Sequence, residues 1–198
     1  MDEAIWRVIT DFGDSAVTLS LAVTVAICLA IGGEARAAVR LLLPIALCGA
    51  VAGGLKLLFG SCGGAIAGWV QASPSGHVAM SGAVYGTLAL LLARPLPLSA
   101  RWLTAGAAAT LVGLIAVSRV IVQAHSVAEV LAGLALGFLA VALYAVLNRD
   151  TPPLHLHVRW LLGGCAVVLL STHGLILPAE VYLRAIAEVI RTAIPGCW

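Results

Sequence analysis

Six stretches of this chain, at 15–32, 38–59, 77–93, 102–119, 124–147 and 159–177, are apolar over roughly the length a bilayer demands. A helix crossing the hydrocarbon core needs about 17–25 such residues, and the chain there must satisfy its backbone hydrogen bonds internally. Helices do so segment by segment. The expected fold is therefore all-α: a bundle of about six transmembrane helices in a single membrane domain over 1–198. Composition agrees, with 10% charged residues against about 25% in soluble domains. A net charge of +2 is too small to argue for a nucleic-acid partner. Asp2 and Glu3 stand where a signal peptide would carry basic residues, so 15–32 reads as a retained first span.

The interruptions between spans set the topology. They hold Gly32-Gly33, the glycine-rich 60–68, Arg94-Pro95-Leu96-Pro97, a short turn at 120–123, and Asn148 to Pro153. Six spans place both termini on one side, with the 60–76 and 119–124 loops. Arg36, Arg40, Arg94, Arg101, Arg149 and Arg159 crowd the other side, which the positive-inside rule assigns to the cytoplasm. The five tryptophans (Trp6, Trp69, Trp102, Trp160 and Trp198) fall near span ends, as an interfacial belt requires.

After the last span, Glu180, Arg184, Glu188 and Arg191 form one charged face over 179–194, predicting an amphipathic helix at the membrane surface. Gly49/Gly53, Gly82/Gly86 and Gly133/Gly137 are small-xxx-small pairs that let helices approach closely. Cys28, Cys48 and Cys165 lie in apolar stretches and read as packed thiols. Cys62 and Cys197 fall outside those stretches, on the side of the 60–76 and 119–124 loops, and the sequence leaves open whether they pair there. The cysteine spacing suggests no metal site, and His155 and His157 read as a solvated loop.

Ionisable groups are costly in a membrane and mark function when they gather at one end of it. Pro74-Ser75-Gly76-His77 opens the third span. Downstream, Ser118-Arg119 is followed by His125 and Glu129. At a spacing of four on a helix, His125 and Glu129 share a face. The carboxylate then fixes one imidazole nitrogen and leaves the other nucleophilic. Arg119 offers a planar fork for phosphate oxygens, Ser75 and Ser118 offer hydroxyls, and Gly76 permits close backbone approach at a helix start that favours anions.

PSGH and the spaced Ser118, Arg119, His125 and Glu129 resemble the second and third signature motifs of the type 2 phosphatidic acid phosphatase superfamily, integral membrane lipid phosphatases. Lys56-Leu57-Leu58-Phe59-Gly60 resembles the start of the first motif, but Gly63 and Gly64 stand where that motif has arginine and proline. The resemblance covers about residues 50–147. It implies a phosphohistidine formed at His125, with Glu129 (mostly aspartate in the family) as its orienter. His77 is then the general acid, and Lys56, Ser75, Gly76, Ser118 and Arg119 form the phosphate cradle. No metal or other cofactor is implied. The expected partners are a lipid-linked phosphate or diphosphate and membrane lipids, met at the extracytoplasmic face, which in a bacterium is the periplasmic face of the inner membrane. The residues leave open a non-catalytic lipid-phosphate binder and a phosphotransferase, and Gly63 is the position that favours the binder.

Overall fold

The computed structural model describes residues 3–62, 73–151, 158–175, 177 and 179–193, and these form helices and no strand. In chain order they are α1 (Glu3–Asp11), α2 (Ser15–Ile31), α3 (Ala35–Cys62), α4 (Gly76–Ala93), α5 (Leu98–Ile121), α6 (Val127–Leu147), α7 (Val158–Thr172) and α8 (Ala179–Ala193). Stretches containing α2 to α6 are five helices long and apolar enough to cross a membrane. Large apolar side chains such as Leu19, Val23, Leu131, Phe138 and Leu139 face outward, where a lipid solvent costs them nothing. The protein is an all-helical membrane bundle.

The sixth span is shorter than expected, α7 ending at Thr172 rather than continuing to 177. Gly174 adopts φ +82° and the Leu175 N–H returns to the Thr172 carbonyl, the left-handed stop that glycine permits at a helix C-terminus. Helix α1 was not foreseen as a separate element. It stops before Gly13, and Asp14 restarts the chain as the N-cap of α2, accepting the Ala16 N–H at 2.8 Å. Trp6 of α1 is 9% exposed, so it packs inward and is no part of an interfacial belt, whereas Trp102 and Trp160 are exposed. The free thiols of Cys28, Cys48 and Cys165 are packed or half-buried as expected. The Cys62–Cys197 pairing, Trp69, Trp198, His155 and His157 lie outside the described residues.

Helix α4 is the most enclosed of the spans and packs against α2, α3, α5 and α6. Its tightest seam is with α6. A methyl group at residue 137 would stand 2.9 Å from the Gly82 Cα and 3.0 Å from the Ala79 carbonyl oxygen. Gly86 likewise meets Val141, and a methyl at 133 would stand 2.7 Å from the Ser75 carbonyl oxygen. Two of the three small-residue pairs therefore make this crossing. The third does not: Gly53 meets nothing within 4 Å. Around the seam, Val17, Leu21, Leu41, Val78, Val84, Leu91 and Ile115 are almost fully buried. The seam brings the start of α4 beside the start of α6, where the Ser75 N–H donates to the Glu129 carbonyl at 2.9 Å.

Candidate active site

The polar residues singled out above collect at one end of the bundle, where α3 and α5 finish and α4 and α6 begin. The α5–α6 turn sets the position of His125. Gln123 takes the left-handed φ of +53°, and the N–H groups of Ala124 and His125 both donate to the Arg119 carbonyl, at 3.0 and 3.2 Å. Ser126 then caps α6. His125 thus precedes the helix, and the expected shared helical face is not what joins it to Glu129. The joint is a capping box. The Ser126 N–H donates to Glu129 Oε2 at 2.8 Å, and the Glu129 N–H donates back to Ser126 Oγ at 3.3 Å. The same Oε2 stands 3.4 Å from His125 Nδ1. One carboxylate therefore both starts the helix and faces the imidazole at Nδ1. Both side chains are largely buried, at 8% and 19% exposure, which restricts the ring to few orientations.

Lys56, His125 and Glu129 line one cavity of about 440 Å³, together with Phe59, Gly60, Ser73 and Arg184. An adjoining cavity of about 210 Å³ is lined by Lys56, Gly76, His77, Ser15 and Leu183. Lys56 is common to both, and its Nζ lies 4.0 Å from where a methyl group on Gly76 would stand. The lysine is thus turned toward the start of α4 rather than outward to the interface. Ser75 is the N-cap of α4, yet its side chain makes no capping bond. Its hydroxyl is fully buried and has no hydrogen-bond partner among the described residues, an arrangement that costs about 1–3 kcal/mol unless another group supplies the bond. It stands where the orphan N–H groups of a helix start favour an anion.

Ser118 and Arg119, the other two expected cradle residues, lie on α5. Ser118 is fully buried, and its hydroxyl donates to the Ile115 carbonyl at 2.6 Å within its own helix. Arg119 reaches Thr10 of α1, Nη1 to Oγ1 at 3.3 Å. Its carbonyl, already described, is what holds the His125 turn. Neither residue lines the two cavities.

Two residues outside the motifs enter the site. Helix α8 packs on α3, with Ala187 buried and only 3.2 Å from where a Gly60 methyl would stand. That seat carries Arg184 into the lining of the Lys56–His125 cavity. The sequence offers no arginine near Gly63, but the fold brings one from the last helix. The charged face of α8 was legible, and Glu188 and Arg191 pair across it at 2.7 Å. What it faced was not. The second residue is Asp14, whose Oδ2 lies 3.5 Å from His77 Nε2. Among the described residues no cluster of three or more histidine, cysteine or acidic side chains could hold a metal ion.

Comparison with known proteins bears on this geometry. The PAP2 superfamily profile matches residues 37–152. A Klebsiella pneumoniae protein described as an uncharacterized 22.5 kDa protein in cps region is 33% identical over 167 residues, covering 83% of this chain and 79% of the relative. No solved structure matches the chain.

Proposed function

The chain belongs to the PAP2 superfamily, and from that premise we propose that it is a membrane phosphatase that hydrolyses a lipid-linked phosphate monoester or diphosphate. The observation that carries the reading is one cavity in which a carboxylate-oriented histidine meets two cations, Lys56 and Arg184. An anion enters such a cavity more readily than a neutral group, and cationic donors stabilise the charge that develops on a transferring phosphoryl group.

In the first step the lone pair of His125 Nε2 forms a bond to phosphorus as the bond to the leaving oxygen breaks, and His77 gives that oxygen its proton. In the second, water attacks phosphorus, the P–N bond breaks, and His77 takes back a proton from the water. Lys56, Arg184, the Ser75 hydroxyl and the backbone at Gly76 hold the phosphoryl oxygens. Arg119 supports the site through its carbonyl and its reach to Thr10, and Ser118 through its buried place on α5.

The test is phosphate release from a panel of lipid phosphates and diphosphates in detergent micelles. Release from at least one member is expected; silence across the panel with an intact fold would sink the hydrolase reading and favour a binder. Arg184→Ala is expected to raise KM about tenfold, the low end for losing a charge-assisted hydrogen bond from an exposed donor. An unchanged KM would remove Arg184 from the cradle.

The site is read as extracytoplasmic, because the arginines crowd the other end. There Arg94 donates to the carbonyl of Asn148 and to Thr151, and Arg101 to the carbonyls of Leu96 and Arg94. A cysteine introduced in the 94–101 turn is expected to resist an impermeant thiol reagent in intact cells, while one near residue 67 reacts. The opposite pattern would turn the protein over.

A further inference from the structure

Asp14 is a buried carboxylate that none of the family motifs contains. It sits between α1 and α2, and its side chain is 6% exposed. The turn that carries it is pinned from several directions. Gly13 lies so close to α4 and α5 that a methyl group there would stand 2.9 Å from Ser81 Oγ and 2.8 Å from the Ile115 side chain. The Tyr85 hydroxyl donates to the Phe12 carbonyl at 2.6 Å. Oδ1 of Asp14 accepts the N–H groups of Ala16 at 2.8 Å and Leu177 at 3.2 Å. With Oδ1 committed to backbone, Oδ2 is the oxygen that faces His77 Nε2, at 3.5 Å.

Resting on the phosphatase reading above, we propose that Asp14 is the positioning residue for the general acid His77. The site then contains two carboxylate–imidazole pairs with opposite tasks. Glu129 faces Nδ1 of His125 and leaves Nε2 to attack, whereas Asp14 faces Nε2 of His77 and leaves Nδ1 toward the substrate. His77 begins the cycle as an imidazolium. Its Nδ1 proton passes to the leaving oxygen as the P–O bond breaks, and the neutral ring that remains keeps its Nε2 proton against Asp14. The same Nδ1 accepts a proton when water cleaves the P–N bond, so the charge on the ring is restored without any other reactant. The carboxylate, itself fixed by two backbone N–H groups, holds the ring in one orientation.

The experiment compares Asp14→Asn with the native protein on two substrates, an alkyl lipid phosphate and p-nitrophenyl phosphate. Asparagine is as good an N-cap as aspartate, so the variant keeps the start of α2. The quantity read is kcat/KM, which covers the steps up to departure of the leaving group. An alkoxide needs a proton to leave and a nitrophenolate needs far less. The expected loss is about 100-fold on the alkyl substrate, at the lower end of what general acid catalysis supplies. The loss on the aryl substrate is expected to shrink to a few-fold. Equal losses on both would make Asp14 a structural residue, and no loss on the alkyl phosphate would also overturn the proposal. A native protein silent on both substrates is a different failure, that of the phosphatase reading, and takes the proposal with it.

Discussion

Replacing His125 with alanine is expected to abolish phosphate release, lowering kcat by at least about 10³-fold, since removing a nucleophile from a catalytic unit costs that much or more. Lipid phosphate binding should survive, because Lys56, Arg184 and Ser75 are untouched. Glu129 provides the sharper companion experiment, because its Oε2 serves both the cap of α6 and the ring of His125. Glutamine also serves at the third position of a capping box, so Glu129→Gln keeps the helix start and removes the charge. It is expected to lower kcat by up to about 10⁴-fold, the loss found when the orienting carboxylate of a serine-protease triad becomes an amide, with the melting temperature hardly moved. Glu129→Ala loses the cap as well, and about 1 kcal/mol of stability with it. Phosphate release and thermal unfolding in the same detergent read both effects. A fully active glutamine variant would show that the carboxylate is only a cap.

The other large effect concerns the α4–α6 seam. A methyl group at residue 133 would meet the Ser75 carbonyl at 2.7 Å and the Ala79 N at 3.3 Å. These are backbone atoms of the segment that presents Ser75, Gly76 and His77, and they cannot swing aside as a side chain would. Gly133→Ala is therefore expected to cost about 1–3 kcal/mol, the usual range for overpacking a closed interface, and to lower activity by displacing the start of α4. Gly106 of α5 meets nothing within 4 Å, and Gly106→Ala should be neutral or slightly stabilising, since alanine is the better helix former. Similar unfolding curves for the two variants would mean that the seam yields more easily than its distances imply.

Much of this was legible in the chain because its causes are local. Long apolar runs dictate spans, and motif residues cluster at the ends of those runs wherever the helices place them. The start of α6 was misread by three residues, although the signal was present: Ser126 followed three positions later by Glu129 is the capping-box pattern. Asp14 immediately before an apolar run was equally readable as a cap. Its place beside His77, 63 positions away in the chain, follows from no local rule. Arg184 lay on a visible charged face, but which element that face covers depends on α8 finding its seat beside Gly60. Nor does spacing show the contacts of Ser118 and Arg119, whose side chains reach the Ile115 carbonyl and Thr10 Oγ1. Sequence spacing brought them to the same end of the bundle as His125.

The family profile spans residues 37–152, and both Asp14 and Arg184 fall outside it. The α1–α2 turn and α8 nonetheless converge on the same end of the bundle, joined where the Leu177 N–H meets Asp14. A protein trimmed to the recognisable stretch would keep both histidines and the lysine while losing Asp14, the carboxylate beside His77, and Arg184, which lines the cavity with Lys56 and His125. The recognisable stretch and the packed end of the bundle are different objects, and an expression clone, a truncation series or a fusion point chosen by motif alone would cut through the second while preserving the first.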